Sequence, residues 1–236
     1  MTEGGIVKVQ KERKKITTKT LVTMKQRGEK ITALTAYDFL MARYLDEAGI
    51  DFILVGDSLG NVIQGNATTL TVTLDEIIYH AKIVKKAVKT ALLVVDLPFM
   101  SYHVDLRESV RNCGRVMKET GADAVKLEGG ERIAEVVKHL VKVGIPVMGH
   151  LGLTPQSINI FGTYVTRGTD PKEARMIQRD AKILEQAGCF GIVLEKIPAS
   201  LAKKITSSIK IPTIGIGACV NCDGQILVTH DMLGMT

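Results

Sequence analysis

The sequence predicts an α/β protein of the (β/α)8 TIM-barrel type, and three observations support this. Short, continuous apolar runs rich in β-branched residues recur along the chain, as is typical of parallel strands buried on both faces. Segments with helical periodicity separate most of these runs, which is the alternation of a barrel. The length of 236 residues suits one such domain, and the hydrophobic content of 45% provides a large core.

The formal net charge of +6 is concentrated at the N-terminus, because residues 1–30 hold nine Lys/Arg and three Asp/Glu. The remainder of the chain is electrically balanced. We therefore predict a basic N-terminal arm over residues 1–30 and a single catalytic barrel domain over residues 31–236. No aromatic side chains are interleaved among the basic ones, so a solvated helix or an arm that packs on a neighbouring subunit is favoured over a nucleic-acid contact.

The first half of the chain contains four predicted strands with helices between them. The strands cover residues 31–36, 52–55, 92–96 and 124–128, and the helices cover residues 39–48, 73–89 and 106–120. Gly49 and Gly121 end two of these helices, since glycine is preferred at a left-handed C-terminal cap. Thr73 and Glu76 have the spacing of a capping box at the start of the second of these helices.

The second half repeats the pattern up to the end of the eighth strand. The strands cover residues 145–150, 192–195, 211–217 and 224–230, with helices up to residue 142, at 172–187 and at 200–207. The chain stops at Thr236, so the barrel is predicted to lack its final C-terminal helix. A doubly wound open sheet is the alternative, and the absence of a dinucleotide-binding fingerprint after the first strand counts against it.

Several classes of protein are excluded by composition. No apolar stretch of about 20 residues is present, so no membrane span is expected. The N-terminus has no apolar signal region, which predicts a cytoplasmic protein. Cys219 and Cys222 form a C-x-x-C pair without a second pair or nearby histidines, and we interpret them as incidental thiols rather than zinc ligands.

Acidic side chains end three consecutive predicted strands. Asp57, Asp96 and Glu128 follow the apolar runs of strands two, three and four. Neighbouring barrel strands end close together, and hard oxygen ligands suit Mg²⁺ better than a softer metal. Zinc is disfavoured because His150 is the only histidine at a strand end. The alternative is that each acid caps a helix or forms an ion pair.

Three further polar residues lie at strand ends. Lys126 shares a strand face with Glu128, so it must pair with a substrate carboxylate or with a neighbouring aspartate. Glu195 ends an apolar strand and is a candidate general base. Ser58 could donate a hydrogen bond to a substrate oxygen or cap a turn. Together these residues indicate a Mg²⁺-dependent barrel enzyme that acidifies a C–H bond of an α-keto acid.

Five motifs carry a resemblance to a known family. They are Val-Gly-Asp-Ser-Leu-Gly at residues 55–60, Asp-Leu-Pro-Phe-Met at 96–100, Val-Lys-Leu-Glu-Gly-Gly at 125–130, Gly-His-Leu-Gly-Leu-Thr-Pro-Gln at 149–156 and Asp-Gly-Gln at 223–225. Across about residues 20–236 the chain closely resembles the ketopantoate hydroxymethyltransferases. The resemblance implies a TIM barrel that transfers a hydroxymethyl group from 5,10-methylenetetrahydrofolate to 3-methyl-2-oxobutanoate and yields 2-dehydropantoate for pantothenate synthesis.

The resemblance also implies roles for individual residues. One Mg²⁺ per subunit would be held by Asp57, Asp96 and Glu128, and the keto acid by Asp57, Ser58, Asp96 and Lys126. Glu195 would accept the proton. The expected partners are the keto acid and the folate, with no nucleic acid and no membrane. The expected assembly is a cytoplasmic homodecamer of two pentameric rings.

The chain departs from the family pattern in two places, and two alternatives follow. Cys219 replaces a glycine at strand seven, where a side chain is expected to crowd the backbone. The family continues past strand eight, and loss of that segment would expose apolar barrel surface and disturb ring assembly. One alternative is therefore an inactive or regulatory truncated barrel. The other is a related phosphoenolpyruvate- or isocitrate-type lyase, which would need a reactive loop cysteine that is absent between residues 126 and 189.

Overall fold

A computed structural model describes residues 13–236 and contains a closed barrel of eight parallel strands. Each strand pairs with its neighbours in chain order, and the eighth closes on the first. The predicted fold class is confirmed. The strands are β1 (Ile31–Thr35), β2 (Phe52–Val55), β3 (Leu92–Asp96), β4 (Ala124–Glu128), β5 (Val147–Gly152), β6 (Gly191–Glu195), β7 (Thr213–Ile216) and β8 (Gly224–Leu227).

The helices surround this barrel, and the six that were predicted after residue 31 lie close to their expected positions. Three short helices, at residues 59–62, 158–161 and 229–232, were not predicted. They are α1 (Thr18–Arg27), α2 (Phe39–Ala48), α3 (Leu59–Val62), α4 (Leu74–Ala87), α5 (Leu106–Thr120), α6 (Ala134–Lys142), α7 (Ile158–Phe161), α8 (Pro171–Ala187), α9 (Ala199–Ser208) and α10 (Thr229–Met232). Gly49 and Gly121 end α2 and α5 in the left-handed conformation, as predicted. Thr73 and Glu76 form the predicted capping box at the start of α4.

The end of the eighth strand was predicted wrongly. β8 stops at Leu227, and the chain turns into α10 instead of continuing to His230. Thr229 is the cause, because its backbone N–H donates to the Thr35 hydroxyl and its own hydroxyl donates to the Thr35 carbonyl. These bonds replace further ladder pairing.

The alternation of side chains along each strand divides the core into two parts. In β3, Leu92 and Val94 point into the barrel, whereas Leu93 and Val95 pack against the surrounding helices. Asp96 continues the inward series by two residues. Because strand side chains alternate with a period of two, the same register carries polar groups to the carboxyl end of the barrel interior. That end is where barrel enzymes assemble their sites.

The opposite end of the barrel is closed by α1 and the residues before it. Ile16 and Leu21 are buried in the cluster that fills the barrel interior. The Lys25 ammonium lies 2.9 Å from a carboxylate oxygen of Asp223 in the β7–β8 loop. Residues 13–27 therefore pack on their own barrel, and contact of the arm with a neighbouring subunit stays a prediction. The remainder of the predicted arm, residues 1–12, lies outside the described residues.

No helix found between residues 13 and 236 combines the length and the apolar character that crossing a bilayer requires.

Candidate active site

Ionisable side chains from five strands converge at the carboxyl end of the barrel. They surround a cavity of about 370 Å³ together with Ser58. The residues are Asp57, which follows β2, Asp96 from β3, Lys126 and Glu128 from β4, His150 from β5 and Glu195 from β6. All the residues that the sequence identified as site candidates are thus brought to one mouth.

The two aspartates are each held by one protein donor. Oδ2 of Asp57 accepts a hydrogen bond of 2.9 Å from the Gln156 side-chain amide. Oδ2 of Asp96 lies 2.6 Å from the Lys126 ammonium. Oδ1 of Asp96 is buried and has no hydrogen-bond partner among the described residues. An unsatisfied buried carboxylate oxygen is costly unless a further cation or donor faces it.

Burial and neighbouring charges perturb the pKa of both aspartates. Burial and then the neighbouring Asp96 and Glu128 charges raise the pKa of Asp57 well above its ordinary value. Burial outweighs the Lys126 ammonium and raises the pKa of Asp96 to about 6. Both carboxylates therefore resist ionisation when protein groups alone surround them. An added positive charge between them would favour their ionised forms.

Lys126 remains a cation in this setting. Burial opposes its charge, but the carboxylates of Asp96, Glu128 and Asp57 outweigh burial and raise its pKa. Its ammonium also lies 3.9 Å from Oε1 of Glu128. The ion pair with a neighbouring aspartate, one of the two alternatives left open by the sequence, is present. Removing one partner of a salt bridge this deeply buried leaves an unpaired buried charge and strongly destabilises the protein.

His150 lies between two carboxylates on neighbouring strands. Its Nδ1 is 3.2 Å from Oε1 of Glu128, and its Nε2 is 3.2 Å from Oε2 of Glu195. Burial and Lys126 oppose protonation, but Glu128 and Glu195 outweigh them and raise the pKa of His150 to about 9. The imidazole is therefore a cation at neutral pH. It connects the acidic cluster to Glu195, whose side chain is 18% exposed to the cavity.

Glu128 differs from the aspartates because both of its oxygens are engaged. Oε1 faces His150, and Oε2 accepts a 3.0 Å hydrogen bond from the Gln156 backbone N–H. Burial would raise the pKa of Glu128, but His150, Lys126 and that N–H lower it. Within residues 13–236, no three His, Cys, Asp or Glu side chains form a group that could hold a metal ion.

The donor set nevertheless fits Mg²⁺. The unpartnered oxygen of Asp96 is a hard ligand, and Asp57 accepts only one side-chain hydrogen bond among the described residues. Mg²⁺ is commonly bound by one or two protein carboxylates, with water and substrate oxygens completing the octahedron. Five carboxylates and three basic side chains line the cavity, so it has a negative excess for a divalent cation to balance. The participation of Glu128 remains a prediction.

Ser58 is placed for contact with a ligand. Its hydroxyl lies 2.7 Å from the hydroxyl of Tyr37 and lines the cavity. Although Ser58 precedes α3, its side chain makes no capping hydrogen bond. The capping alternative is therefore wrong for this residue.

The sequence analysis missed three buried side chains of the cluster. His150 was noted as a strand-end histidine and given no role, whereas Gln156 and Tyr102 were not considered. His150 follows Met148 in the inward series of β5, so the alternation used for Asp96 could have identified it. Gln156 lies in the 3-10 turn Pro155–Ser157, and Tyr102 lies in an irregular loop, where no periodic signal exists.

Comparison with known proteins agrees with this geometry. The sequence profile described as Ketopantoate hydroxymethyltransferase matches residues 15–236. The chain belongs to the ketopantoate hydroxymethyltransferase family. It is 60% identical over 226 residues to the 3-methyl-2-oxobutanoate hydroxymethyltransferase of Christiangramia forsetii, covering 96% of this chain and 83% of the relative. It is also 60% identical to the enzyme of that name from Flavobacterium johnsoniae, covering 95% and 83% of the two chains. The family predicted from the motifs is confirmed.

Solved structures of lower identity share the fold of this ketopantoate hydroxymethyltransferase family member. A phosphonopyruvate hydrolase in complex with oxalate and Mg²⁺ superposes with a TM-score of 0.70 at 12% identity, covering 93% of this chain and 83% of that one. A 2,3-dimethylmalate lyase of the PEP mutase/isocitrate lyase superfamily gives 0.63 at 14% identity, with 92% and 82% coverage. At these identities the likeness concerns the barrel alone, whereas the 60% relatives favour the transferase over the lyase alternative.

Proposed function

We propose that this chain transfers a hydroxymethyl group from 5,10-methylenetetrahydrofolate to 3-methyl-2-oxobutanoate and forms 2-dehydropantoate, a step of pantothenate and coenzyme A biosynthesis. One observation carries the mechanism. The aspartate pair that fits a divalent cation and the carboxylate of Glu195 line the same small cavity. A divalent cation held by the aspartates and the base Glu195 would therefore both face a substrate bound in this cavity.

The keto acid is held by Ser58 and Lys126 together with the two aspartates that we assign to Mg²⁺. Lys126 keeps its charge and lies at the base of the cavity, so its ammonium favours an anionic substrate. The Ser58 hydroxyl is oriented by Tyr37 and can donate to a substrate oxygen. When bound by Asp57 and Asp96, with Glu128 beside them, Mg²⁺ supplies a Lewis acid for the keto-acid oxygens.

Glu195 removes the proton from C3 of the keto acid. A general base must reach that proton within hydrogen-bond distance, and the partial exposure of Glu195 at the cavity wall allows this. Nε2 of His150 lies 3.2 Å from Oε2 of Glu195, so the positively charged imidazole attracts this carboxylate. The electron pair left at C3 then forms the new C–C bond to the methylene carbon of the folate, and both C–N bonds of that carbon break in the overall reaction. One water molecule supplies the hydroxyl group. The two folate nitrogens take the remaining proton of that water and the proton removed by Glu195, and tetrahydrofolate leaves.

A direct assay tests this proposal. Purified protein is incubated with the keto acid, methylenetetrahydrofolate and Mg²⁺, and 2-dehydropantoate is measured by mass spectrometry. We expect turnover with Mg²⁺ and its loss on addition of EDTA, with recovery when excess Mg²⁺ is restored. A correctly folded protein that yields no product, or product formation that EDTA does not affect, would contradict the proposal.

We further propose that the enzyme works in the cytoplasm as a homo-oligomer, with the decamer of its family as the expected form. Neighbouring helices α2 and α4 present exposed aromatic side chains, with Tyr44 57% and Tyr79 63% accessible. Arg43 lies over the rings of Phe39 and Tyr44 at 5.9 and 5.2 Å. Exposed aromatic and arginine side chains are enriched at subunit interfaces. Light scattering measures the mass of the assembly directly. A monomer would contradict the proposed oligomer but would not contradict the proposed reaction.

A further inference from the structure

We propose that Gln156 is a positioning residue that orients Asp57 for the divalent cation. The inference rests on the proposed function only in taking Mg²⁺ as the ion. Gln156 is buried and belongs to the 3-10 turn Pro155–Ser157, just after β5. It is the last residue of the eight-residue motif at 149–156, and the proposed reaction gives this residue no role.

The orientation of the Gln156 side-chain amide is determined by its surroundings. Nε2 lies 2.9 Å from the backbone carbonyl oxygen of Leu97, which can only accept a hydrogen bond. The nitrogen must therefore face Leu97, and its second hydrogen points to Oδ2 of Asp57, also at 2.9 Å. A primary amide has two hydrogens, so both are used. Asp57 must accept at this oxygen, which leaves its other oxygen for a further partner.

Tyr102 anchors the opposite end of the amide. Its hydroxyl accepts a 3.0 Å hydrogen bond from the Glu128 backbone N–H and donates to Oε1 of Gln156 at 2.8 Å. Tyr102 and Gln156 are both buried, so water competes little for these bonds. In such surroundings a fully satisfied network is rigid, whereas the loss of one member leaves an unpaired polar group.

Gln156 also reaches the second acidic strand end through its main chain. Its backbone N–H donates to Oε2 of Glu128 at 3.0 Å. One residue thus donates to a carboxylate after β2 and to another at the end of β4. The side-chain bond is the part that mutation can remove, and its loss would release Asp57 beside the like charges of Asp96 and Glu128. Substitutions of groups that orient metal ligands typically weaken binding by about 10–100-fold.

The test is isothermal titration of Mg²⁺ into the purified full chain, without keto acid or folate. In Gln156→Met the side-chain length is kept and both amide hydrogens are lost. We expect the dissociation constant to rise by about 10-fold or more. Gln64→Met is the matched control, because Gln64 donates to Glu76 at 2.8 Å and does not line the cavity. The control should bind Mg²⁺ like the wild type.

Tyr102→Phe provides a second variant that leaves the Gln156 amide in place. Losing one anchoring hydrogen bond is expected to weaken Mg²⁺ binding by roughly 2–10-fold, and this variant decides the question if Gln156→Met does not fold. A purely structural role would lower the melting temperature and leave the dissociation constant unchanged in both variants, and that result would overturn the proposal. So would a folded wild type that binds no Mg²⁺.

Failure of this inference is separable from failure of the proposed function. Weakened Mg²⁺ binding in Gln156→Met, combined with a wild type that forms no 2-dehydropantoate, would support the positioning role and reject the reaction. Normal Mg²⁺ binding in the variants, combined with a wild type that turns over, would reject the positioning role and support the reaction.

Discussion

Cys219 has a backbone conformation that suits glycine. Its φ is 70°, in the left-handed region where a Cβ atom is strained, and its side chain is exposed. Cys222 of the same C-x-x-C pair is buried, and both are free thiols. The crowding that the sequence predicted at this position corresponds to this local strain.

Replacing Cys219 by glycine should therefore stabilise the protein. Relief of the left-handed strain, less the added freedom of the unfolded chain, is expected to raise the free energy of unfolding by about 1 kcal/mol. The melting temperature would rise by roughly 2–4 °C for a domain of this size. The control is Val220→Gly, since Val220 does not have a positive φ. Equal destabilisation of both variants in thermal unfolding would show that Cys219 is not strained.

Asp46 holds the segment that leads into β3. Its carboxylate accepts hydrogen bonds from the backbone N–H groups of Lys89, Thr90 and Ala91, the last at 2.6 Å. Burial would raise the pKa of Asp46, but these donors outweigh burial and lower it. Because the pKa is lower in the folded state than in the unfolded state, the stabilisation is present above the unfolded value. It is lost as pH falls through the folded value.

Asp46→Asn should therefore destabilise the protein in a pH-dependent manner. At pH 7 we expect the free energy of unfolding to fall by about 2 kcal/mol, because bonds from several N–H groups to a charged acceptor are weakened. The deficit should shrink below about pH 4, where the unfolded carboxylate becomes protonated before the folded one does. Urea denaturation of wild type and variant from pH 7 to pH 3 measures this, with the exposed Glu47→Gln as control. A deficit that is constant with pH would contradict the assignment.

For individual residues, the sequence predicted the site residues that lie on regular strands. Asp96, Lys126 and Glu128 follow from the alternation of side chains in β3 and β4. Gln156 does not, because its position depends on a 3-10 turn and on acceptors that are 59 and 99 residues away in the chain. Hydrogen bonds of that kind depend on tertiary structure, and no local pattern encodes them.

Among the elements, α1 has the most specific structural role outside the site. It is short and polar, yet Leu21 is fully buried at the N-terminal end of the barrel interior. The ion pair of Lys25 with Asp223 fixes the helix against the β7–β8 loop. Both ends of the interior are thus filled, one by α1 and the other by the polar cluster.

Truncation of Leu21 tests whether α1 closes the barrel. Leu21→Ala removes a fully buried side chain, and cavity formation should cost about 2–5 kcal/mol of unfolding free energy. Val22→Ala is the matched control, because Val22 lies on the same helix and is only partly buried. Urea denaturation gives both values. If the two losses are equal and small, α1 is a peripheral helix.

The ends of helices could be predicted where a capping side chain or a glycine marks them in the sequence. Asp38, Thr73 and Asp105 accept at the N-termini of α2, α4 and α5, and glycines end two of these helices. Strand ends were less accurate, since they depend on pairing partners. β5 was predicted to end at His150 but continues to Gly152, because the ladder with β6 extends until Gly152 meets Glu195.

At the scale of the whole molecule, barrel closure creates the site. Asp57 and Glu195 are separated by more than half of the chain, and only a closed parallel sheet brings both to one cavity. This convergence could be predicted because all parallel strands of a barrel share one carboxyl end. The sequence could not predict which carboxylate oxygens His150 and Gln156 contact. Those contacts depend on differences of a few tenths of an ångström in the positions of the side chains.

The central claim is that this mouth removes a proton from C3 of a metal-bound keto acid, with Glu195 as the base. The most direct measurement is loss of the C3–H signal of 3-methyl-2-oxobutanoate in D₂O with Mg²⁺ and without folate, followed by proton NMR. We predict exchange with the wild type and with the exposed-residue control Glu47→Gln, and a rate at least about 100-fold lower with Glu195→Gln that still binds Mg²⁺. Exchange at the wild-type rate in Glu195→Gln would contradict the account.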